Sequence, residues 1–112
     1  MPLIHVKLST SKVSNPNELI KEISKELSAL TNKPEQYVMC LLETNIPMLF
    51  SGTDDPCCYV EVKSIGSLTP PEMTKTFCKL IELKTGIPSN RIYIQFEDVQ
   101  ANKWGFNGQT FG

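Results

Sequence analysis

Apolar and polar residues alternate along the start of the chain: Leu3-Ile4-His5-Val6-Lys7-Leu8 carries Ile4, Val6 and Leu8 on one side, which predicts a half-buried strand. Cys58-Val60-Val62 repeats that two-residue period. Between and after these stretches the period lengthens. Leu19, Ile23, Leu27 and Leu30 fall on one helical face, and Met73, Phe77, Leu80 and Ile81 do the same. Each helix opens on a start signal. Asn15-Pro16-Asn17-Glu18 and Thr69-Pro70-Pro71-Glu72 both place a capping side chain, then proline at the first helical position, then glutamate. After each helix comes another apolar run, Tyr37 to Leu42 and Arg91 to Phe96, predicted as strands.

The two halves are copies at an offset of 54 residues. Pro2 matches Pro56, and Val6, Pro16, Glu18, Lys21, Lys25, Thr31, Pro34 and Glu43 match identical residues at the same spacing, nine pairs in all. The repeats run over about residues 2–50 and 56–104 of a single domain, 1–112. Each unit reads strand–helix–strand with a crossover long enough for parallel pairing. Right-handed crossovers put both helices on one face of a shared four-stranded sheet, an α+β fold. The opposite face then carries Leu3, His5, Met39, Leu41, Tyr59 and Tyr93 amid Lys7, Glu61 and Gln95. A mixed face of that kind is expected to bury itself against copies of the same chain.

Composition narrows the partners. Eleven basic residues stand against twelve acidic ones, with no like-charge run, so neither nucleic acid nor an anionic membrane surface is expected as a partner. No apolar stretch approaches the roughly 20 residues of a membrane span. No signal-peptide layout is seen, which predicts cytoplasmic residence or export by a route without a signal peptide. His5 is the only histidine, and Cys57-Cys58 is not a metal-ligand spacing, so no metal and no cofactor are expected. Cys40 and Cys78 sit in apolar patterns as small hydrophobes.

Two differences between the halves concentrate chemistry at one end. Methionine is normally trimmed before a small residue, and Pro2 would then become a titratable secondary amine, whereas the nitrogen of Pro56 stays an amide. A free α-amine titrates at about 7.7–8.0, so a small downward shift yields a neutral base at pH 7. Lys33 stands where the second half has Ile87. A cation after a helix also complements the helix C-terminus, and Tyr37, Tyr93 and the tail aromatics are equally suited to packing.

The chain resembles the macrophage migration inhibitory factor and D-dopachrome tautomerase family over essentially its whole length. The resemblance is carried by Met1-Pro2, Lys33-Pro34, Gln36-Tyr37, Met48 with Phe50, and Asp55-Pro56-Cys57. It continues through Ser64-Ile65-Gly66, Arg91-Ile92-Tyr93-Ile94, Gly105-Phe106-Asn107 and Thr110-Phe111. It implies a homotrimer with pockets at subunit interfaces and a keto–enol tautomerase acting on a small aromatic 2-keto acid such as phenylpyruvate. Transferred by position, Pro2 is the catalytic base. Lys33 and the Ile65 N–H hold the carboxylate, with Ser64 beside them. Tyr93 and Gln95 come from the neighbouring subunit, and Leu3, Tyr37, Trp104, Phe106 and Phe111 surround the ring.

The chain departs from the family pattern at several positions. Gln95 replaces the usual asparagine, and Trp104 and Phe106 replace valine and tryptophan of mammalian members. Val60 replaces the second cysteine of a Cys-x-x-Cys, which removes the resolving thiol an oxidoreductase needs. Lys12 and Asn45 replace an arginine and an aspartate tied to receptor binding. Two functions follow: a tautomerase, or a cytokine-like secreted protein that binds a protein receptor and keeps the pocket as a vestige. Dehalogenases and hydratases of short acids call for more active-site arginine than the single Arg91.

Overall fold

The computed structural model describes residues 1–112. Strand β1 (Leu3–Leu8) leads to helix α1 (Pro16–Thr31) and strand β2 (Met39–Glu43). Strand β3 (Cys58–Ser64), helix α2 (Pro70–Thr85) and strand β4 (Ile92–Asp98) repeat the order, and the short strands β5 (Gly105–Phe106) and β6 (Gln109–Thr110) close the chain. The sheet order is β2-β1-β3-β4. β1 runs parallel to β2 and antiparallel to β3, and β3 runs parallel to β4. The starts of β1 and β3 therefore lie at opposite ends of the sheet.

Local chemistry sets the helix boundaries. The Asn15 side chain accepts from the Glu18 N–H at 3.1 Å and donates back to the Glu18 carboxylate at 3.2 Å, closing the first turn of α1 from both sides. At the other end Asn32 adopts the left-handed conformation, and the Lys33 N–H reaches the Ser28 carbonyl at 3.2 Å. α2 ends at Gly86, whose N–H bonds the Glu82 carbonyl. Threonines close both last turns, with buried Thr31 donating to the Leu27 carbonyl and half-buried Thr85 to that of Ile81.

The core lies between the helices and one sheet face. Ile4, Val6, Leu8, Val60 and Val62 of the sheet meet Leu19, Ile23, Leu27, Met73, Phe77 and Ile81 of the helices, all essentially inaccessible. Leu30 and Leu80 are only partly buried at its margin, while Thr31 and Cys78 are the buried neighbours. The other sheet face has no cover: Met39 is 58% exposed, Leu41 39% and Tyr93 65%.

The structure corrects the strand starts. Tyr37 and Arg91 lie outside β2 and β4, each ending a 3-10 turn, Glu35–Tyr37 and Ser89–Arg91. Extended Pro34 and Pro88 set up the turns, closed by the Tyr37 N–H on Pro34 at 3.0 Å and the Arg91 N–H on Pro88 at 2.9 Å. Both side chains are thereby placed beside the sheet rather than within it. The tail also pairs with itself alone, as a β5–β6 hairpin around Asn107-Gly108, with φ of 52° and 81°.

Candidate functional site

A cavity of about 190 Å³ opens at the start of β1. Pro2 and Leu3 form its floor, Gln36, Tyr37, Val38 and Met39 one wall, and Trp104, Gly105, Phe106 and Phe111 the other. Each part has a structural reason to be there. The parallel register sets Leu3 beside Met39, and the Met39 N–H donates to the Pro2 carbonyl at 3.1 Å, which ties the chain start to the 3-10 turn. The turn carries Tyr37, whose ring meets Phe106 edge-on at 6.3 Å. Phe106 stacks on Phe111 at 5.8 Å, and the Phe111 N–H on the Trp104 carbonyl at 3.1 Å holds the hairpin over the cavity.

The cavity is apolar, and its volume falls below the roughly 300–1,000 Å³ of ordinary small-molecule sites. Met1 occupies part of the lining, so its removal would enlarge the space.

The polar end lies beside this cavity. With Met1 in place the free amine is that of Met1, and burial first, then the Lys33 ammonium, lowers it below the ordinary α-amine range. Neutral amine is the form that both causes favour, since burial penalises any charge on the nitrogen and the Lys33 ammonium repels a second positive one. Pro2 is itself buried. The antiparallel register, with Leu3 opposite Lys63, extends to set Pro2 opposite Ser64. Ser64 is fully buried and its hydroxyl has no hydrogen-bond partner. Ile65 follows, and the next loop is pinned by the Gly66 N–H on Asp98 at 2.9 Å.

Pro2, Leu3, Tyr37, Trp104, Phe106 and Phe111 thus line one cavity. Ser64, Ile65 and Lys33 lie outside its lining, at the amine end. Tyr93 and Gln95 stand on the bare sheet face instead, Tyr93 against the Phe50 ring at 4.7 Å and Gln95 bonded to the Tyr59 hydroxyl. Sequence reasoning left Gln36, Val38 and Met39 out of the lining. The strand pairing of Leu3 with Met39 is the signal that finds them.

The sole arginine is committed elsewhere. Arg91 donates to the carbonyls of Pro56, Phe50, Thr53 and Asp55 at 3.0, 3.1, 3.4 and 2.8 Å, and lies 5.3 Å from the Phe50 ring centre. It organises the central loop and is not free for a carboxylate. Cys40 and Cys58 are equally unsuited to nucleophilic work. Burial pushes Cys40 up to about 11, and burial with the neighbouring Cys78 and Cys57 pushes Cys58 up to about 12. Lys12 and Asn45 share one rim: the Lys12 N–H donates to the Thr10 hydroxyl at 3.0 Å and the Asn45 N–H to the Thr10 carbonyl at 3.1 Å.

The family model described as macrophage migration inhibitory factor matches residues 1–112. A solved macrophage migration inhibitory factor homologue from Prochlorococcus marinus is 50% identical, with a TM-score of 0.94 over 98% of this chain and 99% of that one. The macrophage migration inhibitory factor homolog of Brugia malayi is 33% identical over the full length of both chains, and the Xenopus laevis factor 32% over 99% of each.

Proposed function

Because the chain belongs to the macrophage migration inhibitory factor family, as the match over residues 1–112 establishes, we propose that it is a keto–enol tautomerase whose base is the amine of Pro2. The observation that carries this reading is the amine-lowering environment at the mouth of an aromatic cavity, where burial and Lys33 act on the chain terminus. Removal of Met1 transfers that environment to the ring nitrogen of Pro2.

In the reaction the neutral amine takes a proton from the methylene carbon of an arylpyruvate. The electron pair moves onto the keto oxygen as the enolate, and the ammonium returns the proton to that oxygen. Nothing is gained or lost overall. Lys33 and the Ile65 N–H hold the substrate carboxylate, and the same cation stabilises the developing oxyanion. Leu3, Tyr37, Trp104, Phe106 and Phe111 take the ring.

A second subunit completes the cavity. The bare sheet face, with Met39, Leu41 and Tyr93 exposed, is the surface that homotrimer formation would cover, and Tyr93 and Gln95 would enter a neighbour's cavity from it. The test is phenylpyruvate enol–keto conversion followed by ultraviolet absorbance, on protein whose mass shows that Met1 is gone. Turnover with a base below the ordinary α-amine range supports the reading. No turnover from an intact trimer favours the receptor-binding alternative, for which the Lys12 and Asn45 rim is the surface to substitute.

A further inference from the structure

Among the buried side-chain polar atoms, only the Ser64 hydroxyl has no hydrogen-bond partner. A buried hydroxyl left unpaired is costly and calls for an explanation. The β1–β3 register, extended one step past Leu8, sets Ser9 opposite Cys57, and the Ser9 N–H donates to the Cys57 carbonyl at 3.1 Å. Bonded and unbonded pairs alternate along an antiparallel ladder. Counted back from Ser9, Pro2 and Ser64 form an unbonded pair, about 4.5 Å apart at Cα with side chains at their closest.

Both residues are buried, which puts the Ser64 hydroxyl and the Pro2 ring on the helix side with Ile4 and Val62. The cavity opens toward the other side. Leu3 and Met39, which alternate onto the bare face, line it, and Ser64 does not. While Met1 is in place the Pro2 nitrogen is an amide without a hydrogen, so it offers Ser64 nothing to accept. Removing Met1 creates the missing donor. The ring nitrogen then carries one N–H and one lone pair, which exchange places by inversion. Only the form with its lone pair on the cavity side can take a proton from the substrate.

We infer that Ser64 is a positioning residue: its hydroxyl accepts the Pro2 N–H on the helix side, directly or across one water, and so holds the lone pair toward the cavity. This rests on the tautomerase reading above and deepens it, since it gives Ser64 to the base rather than to the substrate carboxylate. The same hydroxyl stabilises the ammonium, opposing burial and Lys33, the two causes that lower the terminal amine. The other charges at this end are engaged elsewhere. Asp98, opposite Ser64 on β4, accepts from the Gly66 N–H at 2.9 Å. Lys63 lies on the bare face, 3.7 Å from Glu61, and Glu35 accepts from the Ser24 hydroxyl. Tyr37 stands in the cavity wall.

The experiment takes wild type and Ser64→Ala, each with Met1 removed and with Met1 kept, the forms told apart by mass. Melting temperatures and phenylpyruvate kinetics against pH are measured. With Met1 kept, Ser64→Ala removes an unpaired buried hydroxyl and should raise the melting temperature by about 4 °C. With Met1 removed it should bring no gain. In that form kcat should fall about fivefold at unchanged KM, the scale of one hydrogen bond. The acid limb of kcat/KM should move to lower pH, because an acceptor that stabilises the ammonium is gone. Equal stabilisation of both forms overturns the inference, as does an unmoved acid limb. A raised KM at unchanged kcat overturns it too and returns Ser64 to the carboxylate. A wild type that turns over no phenylpyruvate overturns the tautomerase, and the paired melting temperatures still decide whether Ser64 bonds the amine.

Discussion

At one end of the sheet the ring of Phe106 meets Tyr37 edge-on at 6.3 Å; at the other, the ring of Phe50 lies 5.3 Å from the Arg91 guanidinium. Tyr37 and Arg91 are equivalent residues, 54 apart, each the last of a 3-10 turn. Both phenylalanines head a two-residue turn with two positive-φ residues, Asn107-Gly108 in the tail and Ser51-Gly52 in the central loop. Each hairpin trails one half of the chain and packs on the other. The ends then part ways. Arg91 spends its donors on four loop carbonyls and draws the loop shut over Pro56. Tyr37 offers only a ring, so a hollow of about 190 Å³ remains above Pro2. A near-copy becomes a site where its closing contacts are apolar and incomplete.

The largest expected effect breaks the comparison at its two prolines. Pro2→Gly replaces the secondary ring amine by a primary amine of different geometry and should lower phenylpyruvate kcat/KM by about a hundredfold or more, the scale of a lost general base. Retaining Met1, which makes the Pro2 nitrogen an amide, should do the same. Pro56→Ala, at the equivalent position, should stay within about twofold, because its nitrogen is never free. Equal losses at both prolines would mean that Pro2 acts through folding alone. Steady-state kinetics beside thermal melts decides it.

Arg91 tests what closes the other end. Arg91→Ala removes four hydrogen bonds to carbonyls and the contact with Phe50, for an expected loss of about 2 kcal/mol, the scale of one or two charge-assisted bonds after solvent exchange. Hydrogen exchange should localise the damage to the loop around Phe50, Thr53 and Asp55. Protection unchanged in that loop would show that Phe50 on Tyr93, at 4.7 Å, holds it without the guanidinium.

Much of this asymmetry is written in the sequence, but not all of it at the same level. The helices could be read because Leu19, Ile23 and Leu27, like Met73, Phe77 and Ile81, keep a helical period and each run follows a proline start signal. The bare face could be read from strand alternation. The contrast of Lys33 with buried Ile87 could be seen only by laying one half over the other. The roles of Gln36, Val38 and Met39 could not, since lining a cavity depends on strand pairing between residues far apart in sequence. The 3-10 turns at Tyr37 and Arg91 were hidden for a local reason: an apolar run after proline looks like a strand until its i→i+3 bonds are seen. The pairing of Gln95 with Tyr59 needs a register, which no single strand contains.

The smallest effect comes from the cation that only the first half carries. Lys33→Met keeps the length of the side chain and removes its charge. The substrate carboxylate then loses its partner, and KM for phenylpyruvate should rise about tenfold, as for one charged hydrogen bond. The base is affected in a second way. The pKa of the Met1 amine is lowered first by burial and second by Lys33. Once Pro2 carries the terminal amine in that setting, taking Lys33 away should leave the burial part and let the pKa of the base rise toward the ordinary α-amine value. A base is active when neutral, so a higher pKa moves the acid limb of kcat/KM to higher pH, while above that limb only the KM effect remains. A pH–rate profile of both proteins separates the two roles. A raised KM with an unmoved limb would restrict Lys33 to holding the carboxylate, and no change in either would reduce it to the cation that follows a helix end, leaving Pro2 tuned by burial alone.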